Sequence, residues 1–190
     1  MINLNQMYHS LKEQSDLDSM QVGSKNYKKG HILQTKGSIV SKAYFVKRGL
    51  VKSYDVDQNG KQHILMFAGR GASIFDPNSV VSGTTSELFI ETIEDSEIET
   101  VDLRVHDTKN ISSNIKNNII WILNMNLCYL QKRLLKMMTF TTHERYELFL
   151  QDYPNIANRI PQWMIASYLG VTPEALSSVK GKYYRRHKCN

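Results

Sequence analysis

The hydrophobic pattern of the chain changes period near residue 106. Between Tyr27 and Leu103, apolar residues come in short runs broken by Gly and polar turns. The runs are Ile32-Leu33, Ala43-Tyr44-Phe45-Val46, Leu50-Val51-Lys52-Ser53-Tyr54, His63-Ile64-Leu65-Met66-Phe67, Leu88-Phe89-Ile90-Glu91-Thr92-Ile93 and Glu97-Ile98-Glu99-Thr100-Val101. Such runs, rich in β-branched and aromatic residues, predict strands. Asp57-Gln58-Asn59-Gly60 predicts a hairpin turn, because Asn-Gly accepts the positive φ that tight hairpins demand. Many short strands at regular spacing predict a sandwich or a double-stranded β-helix (jelly roll). Ahead of them, Leu4, Met7 and Leu11 have helical spacing and predict a short leading helix within residues 1 to about 22.

Beyond residue 106 the period is helical. Ile120, Leu123, Leu127, Leu130, Leu134 and Met137 follow one another at intervals of 3, 4, 3, 4 and 3 residues. That is an a/d heptad seam. Ile115, Ile119 and Ile122 form a second strip on the same helix. Two apolar faces imply two clients: the β domain on one side and the same helix of a second chain on the other. The alternative is one broad face buried within the monomer. Thr141 and Glu144 have capping-box spacing, so a further helix starts there and stops before Pro154. The expected organisation is α+β: a jelly-roll sensor over 1–105, a dimerisation helix over 106–138, and a small all-α helix-turn-helix domain over 139–190.

The segment from Pro161 to Lys180 is the most specific. Pro161 suits a first helical turn. Ile165 and Leu169 lie one turn apart, with the small Ala166 where two helices would cross. Gly170 ends the first helix, since Gly enters the left-handed conformation freely. Thr172 then caps a second helix with Pro173 at its first position and Leu176 and Val179 facing inward. This is a helix-turn-helix pattern, against which an ordinary helical hairpin is the plain alternative. Its outward face would carry Thr172, Glu174, Ala175, Ser177, Ser178 and Lys180 to base edges, with Gln162 on the preceding helix. Lys182, Arg185 and Arg186 would meet phosphates.

Charge sharpens this reading. The net charge is +6, and from Arg159 to Asn190 six basic residues stand against the single acidic Glu174. A localised basic end points to a polyanion, most simply nucleic acid. The two cysteines, Cys128 and Cys189, are too few for a disulfide framework or a four-thiolate cluster. No secretory signal is evident at the start, and no apolar run would span a bilayer, so a cytoplasmic protein is expected. The sequence has no phosphate-binding loop, Gly-x-Ser-x-Gly, His-Glu-x-x-His or His-x-His, so a catalytic role is not expected. His31, His63 and His106 stand apart from one another, which gives no metal cluster.

Taken with these motifs, the chain resembles the Crp/Fnr family of bacterial regulators over roughly residues 20 to 182. Tyr27-Lys28-Lys29-Gly30-His31-Ile32-Leu33, Tyr44-Phe45-Val46-Lys47-Arg48-Gly49-Leu50-Val51 and Asn59-Gly60-Lys61 look like the family's successive strands and turns. Ile165 to Ser177 is closely similar to its DNA-binding motif. The resemblance implies duplex DNA, a second copy of the chain, RNA polymerase and an unknown small-molecule effector as partners, with no cofactor and no membrane. It also implies that Glu174 accepts from a cytosine amino group. Members that bind cyclic nucleotides use a Gly-Glu pair for the ribose and an Arg followed by Ser or Thr for the phosphate. The effector pocket would therefore draw on Gly69, Arg70, Gly71 and Ser73 and on Thr85, Ser86 and Glu87. This sequence lacks both the glutamate and the arginine there, so cyclic nucleotides are not expected to bind. Ser178 also stands where many members carry a guanine-reading arginine. A sensing or protein-interaction module without DNA binding is the alternative reading.

Overall fold

The computed structural model describes residues 23–102 and 113–187. The expected leading helix, His106 and Cys189 lie outside them, as do the side chains of Ile115, Ile119 and Ile122. Among the described residues, eight strands form two antiparallel sheets. One has the order β1 (Gly23–Tyr27), β8 (Ser96–Asp102), β3 (Lys42–Arg48), β6 (Ser73–Ile74). The other has the order β2 (Ile32–Gln34), β7 (Phe89–Thr92), β4 (Leu50–Val56), β5 (Gln62–Gly69). A short helix, α1 (Pro77–Ser82), sits between β6 and β7. This is the expected jelly roll.

Between the sheets lies a core of Tyr44, Val46, Val51, Ala68, Ile74, Ile90 and Ile98. The β3–β4 corner turns at Gly49, whose φ is +104°. A Cβ there would lie 2.1 Å from Ser96 Oγ, so only glycine fits. The β4–β5 hairpin turns where Asn-Gly predicts, and the Asp57 carboxylate accepts from the Asn59 and Lys61 N–H groups at 2.9 and 3.1 Å.

The helical part follows: α2 (Ser113–Thr139), α3 (Thr142–Asp152), α4 (Gln162–Leu169) and α5 (Pro173–His187). The capping box at the start of α3 is formed, with Thr141 and Glu144 bonding each other's backbone N–H. Among the described residues, no helix is long and apolar enough to cross a membrane.

The helices pack onto the outer face of the second sheet. Leu50, Tyr54, Ile64, Phe67 and Ile93 join Tyr146, Phe149, Ile165, Leu169 and Leu176 in one cluster. Covering this face buries β4 on both sides, which takes Lys52 out of water along with Leu50 and Tyr54. The other side of α2 is bare. Ile120, Leu127, Leu134 and Met137 are 56, 64, 60 and 41% exposed, while Leu123 and Leu130 are half-buried.

Candidate nucleic-acid interface and effector loop

The helix α4 closes at Gly170, whose φ of +67° lets its N–H reach the Ala166 and Ser167 carbonyls. A Cβ on Gly170 would come within 3.2 Å of Met137 Cε, so this turn also sits against α2. Thr172 Oγ1 accepts from the Ala175 N–H at 3.2 Å and starts α5. Ile165, Ala166, Leu169 and Leu176 are essentially inaccessible, and Val179 and Tyr183 pack beside them. Burial of this stripe turns the rest of α5 outward.

Thr172, Glu174, Ala175, Ser177 and Ser178 are all exposed on that outward side, as are Lys182 and Arg185 one and two turns on. Lys180 is half-buried, and Gln162 is exposed at the start of α4. Arg186 belongs to α5, but its side chain lies outside the described residues. The Glu174 carboxyl is held below the usual carboxylate range by hydrogen bonds from its own backbone N–H and from the Thr172 hydroxyl. It is therefore an ionised acceptor at the head of the helix, with no donor from outside its own turn.

The α4 helix is tied to the second β-sheet by more than apolar packing. Ser167 Oγ accepts from the Ile64 N–H at 2.9 Å and donates to the Gln62 carbonyl at 2.8 Å. Since β5 is a sheet edge, this hydroxyl satisfies groups that an adjoining strand would otherwise pair. The Arg133 guanidinium on α2 donates to the Leu65 carbonyl and to the Tyr168 carbonyl, the latter at 2.8 Å, and lies 4.1 Å from the Tyr168 ring centre. One side chain thus joins long helix, sheet edge and α4. Nearby, Lys52 is paired with Glu91 at 3.3 Å and bonded to Gln62 at 2.6 Å. It lies 4.4 and 5.4 Å from the Tyr54 and Trp163 rings. Burial pulls its pKa down, partly offset by Glu91.

The residues expected to form one effector pocket fall into two places. Gly69, Arg70, Gly71 and Ser73 lie at the end of β5, in the following turn and in β6; Arg70, Gly71 and Ser73 face α2. Thr85, Ser86 and Glu87 belong to the loop between α1 and β7. Thr85 and Glu87 are exposed and Ser86 is buried. Around Ser86 the loop is closed by Asp76, which the sequence reading passed over. Asp76 is 1% exposed, and its Oδ1 accepts from the Asn78 N–H at 2.9 Å. Its Oδ2 accepts from the Ser86 hydroxyl at 2.7 Å and the Glu87 N–H at 3.1 Å. Gln34 Nε2 donates to Ser86 Oγ at 2.6 Å. The one legible sign of Asp76 was local: an Asp directly before Pro77 is an N-cap followed by the N1 proline. Among the described residues, no cluster of His, Cys, Asp and Glu could hold a metal ion.

Residues 24–105 match the family model of the cyclic nucleotide-binding domain. No curated protein matches the chain. Solved structures do. FixK2 from Bradyrhizobium japonicum is similar at a TM-score of 0.74 and 19% identity, covering 87% of this chain and 86% of that one. A CRP/FNR-family transcriptional regulator from Thermus thermophilus gives 0.69 and 18%, covering 86% and 87%. The c-di-GMP-responsive global regulator CLP of Xanthomonas campestris gives 0.60 and 16%, covering 87% and 88%. The architecture expected from the sequence, a cyclic-nucleotide-binding-type jelly roll followed by helices, is thus that of the CRP/FNR regulators.

Proposed function

We propose that this chain, built on the fold of the Crp/Fnr regulators, is a homodimeric, sequence-specific DNA-binding transcription regulator whose sensor does not take cyclic nucleotides. The observation that carries the reading is α5: a helix capped at Thr172, buried along Leu176 and Val179, and polar on the side turned to solvent. A helix anchored this way can enter a major groove with its N-terminal residues leading. Glu174 reads a base, accepting from a cytosine amino group, and Lys182, Arg185 and Arg186 hold phosphates. The bare row Ile120, Leu127 and Leu134 on α2 supports pairing with a second copy, because so much exposed apolar surface is costly in water. A dimer sets two recognition helices about one DNA turn apart. The closure of the α1–β7 loop on Asp76 supports the negative part. A cyclic phosphate would meet a buried carboxylate and Glu87, and no arginine stands beside Ser86 in sequence.

The test is duplex DNA selected from random sequence, followed by a salt titration of the selected site. Lys182→Ala should weaken binding to all sequences and lower the salt slope by roughly 1, while Glu174→Ala should cost roughly 1–3 kcal/mol and relax the preference at one base position. Salt-independent retention, or no enrichment at all, would sink the reading. Light scattering should give twice the chain mass for the wild type and a monomer for Leu127→Asp.

A further inference from the structure

Between the β5–β6 turn, the long helix α2 and the helices α3 and α4 lies a cavity of about 670 Å³. That is the size of an ordinary small-molecule site. It stands apart from the Asp76–Ser86 loop, whose residues do not line it. Apart from Met137, the bare row of α2 does not line it. Met125, Tyr129, Lys132 and Lys136 recur at intervals of 3 and 4 residues on the face turned away from Leu127 and Leu134.

The walls have two characters. Phe67, Phe75, Met125 and Phe149 give apolar surface. Arg70, Lys132, Arg133, Lys136 and Arg145 also line it, against one carboxylate, Asp152. Among the described residues, none of these five cations is paired with a carboxylate. Arg133 and Arg145 are held by backbone carbonyls, Arg145 donating to the Leu169 carbonyl at 2.7 Å. Arg145 Nε is buried and lacks a hydrogen-bond partner among the described residues. Arg70 and Lys132 are exposed and hydrated, but the buried Arg145 donor, left unmatched beside the half-buried Arg133 and Lys136, is costly unless something negative completes it. An apolar wall is unfavourable when filled only with water.

We propose that this cavity is the effector site of the chain, and that it takes a small organic anion with an apolar body: a carboxylate or phosphate at one end, a ring or aliphatic segment at the other. The inference rests on the regulator reading, since only a regulator needs an effector. The anionic end is drawn by Lys132, Lys136 and Arg145, and the body lies against Phe67 and Phe149. Its occupancy bears directly on how α4 is seated, because Arg133 lines the cavity while bonding both the Leu65 and Tyr168 carbonyls.

The probe is 8-anilinonaphthalene-1-sulfonate, an anion with an apolar body, followed by fluorescence on the full chain, with uncharged N-phenyl-1-naphthylamine as its counterpart. Saturable binding of about one anionic dye per chain is expected, with the neutral dye at least about ten-fold weaker. The double reversal Lys132→Glu/Lys136→Glu should weaken the anionic dye at least about ten-fold, whereas Lys61→Glu on the distant hairpin should not. Met125→Trp, which fills the cavity, should abolish binding with the fold intact by circular dichroism. Displacement by decanoate as against phenyl phosphate then distinguishes a carboxylate from a phosphate ligand. Equal affinity for the two dyes, or an anionic dye indifferent to the double reversal, would overturn the proposal and leave the dye on the bare row of α2. Salt-dependent DNA binding of the same preparations separates the two readings. A chain that binds DNA but fails the dye tests loses only this inference, and one that passes them without binding DNA loses the regulator reading.

Discussion

Ahead of α1 the buried Asp76 carboxylate faces three hydrogen-bond donors, from Asn78 in α1 and from Ser86 and Glu87 in the loop between α1 and β7. At the joint beyond β5, five cations, one of them Arg145 with its Nε unmatched, line a cavity with the single carboxylate of Asp152. Both places adjoin the same jelly roll, yet in the first the buried carboxylate is matched, with the neutral Gln34 Oε1 left without a partner among the described residues, while in the second it is positive charge that is left over. A site that has satisfied its own charge has little to gain from an anionic ligand, because the ligand must displace a partner already in place. A site with charge left over gains the full interaction. The fold alone therefore does not say where a small molecule goes; the residual charge does.

The comparison can be broken most severely at Asp76. Asp76→Ala leaves the Asn78 and Glu87 N–H groups without their buried acceptor and the Ser86 hydroxyl with the Leu88 carbonyl in its place, and should cost about 3–5 kcal/mol, read from urea unfolding of the full chain. Asp76→Asn should recover part of this. A loss under about 1 kcal/mol would mean that the carboxylate does not hold the loop. Ser167→Ala comes next, at about 1–3 kcal/mol, since it strips the Ile64 N–H and the Gln62 carbonyl of their partner. Its local signature is faster hydrogen exchange at the Ile64 amide, and unchanged exchange there would show that water replaces the hydroxyl without cost.

A smaller effect comes from Lys52. Its pKa is lowered on folding, so between that lowered value and the ordinary lysine value near 10.5 the unfolded chain binds more protons. Stability should rise with pH across that window. The buried tyrosines act in the opposite sense. Burial raises the pKa of Tyr44, Tyr54, Tyr146, Tyr153 and Tyr168, so stability should fall once pH passes their ordinary value near 10. Urea midpoints between pH 7.5 and 11 should pass through a maximum, and Lys52→Met should remove the rise but keep the fall. The smallest expected effect is none at all: calorimetry with cyclic AMP or cyclic GMP at millimolar concentration should give no saturable heat. A micromolar dissociation constant would show that the Asp76 loop opens for a ligand.

What the sequence disclosed was what it encodes locally. Strand runs, the Asn59-Gly60 turn, the Thr141–Glu144 box and the Gly170–Thr172–Pro173 punctuation each depend on residues a few positions apart. The two-residue β6 and the six-residue α1 carry too little pattern to register. Nothing local in the Leu50–Tyr54 run marks Lys52 as buried, and one of the two rings beside it, that of Trp163, comes from the far end of the chain. The joint is least legible of all. Ser167 and Gln62 are 105 positions apart, and nothing near either residue announces the other. Met137, expected in the dimer seam, is 41% exposed there and also reaches the Gly170 turn and the cavity, a double role that one heptad position does not reveal.

The edge of β5 carries a consequence for how far the helical part can travel. An uncovered sheet edge offers a template on which another chain can add a strand, the route by which β proteins aggregate or swap segments. Here the template is blocked by Ser167 on α4 and Arg133 on α2. Any swing of α4 away from the sheet therefore bares the strand at Gln62, Ile64 and Leu65. Self-association thus bounds how far α4 could move: a wide excursion would trade a folded joint for a sticky ribbon, and a small rotation that keeps Ser167 in place would not.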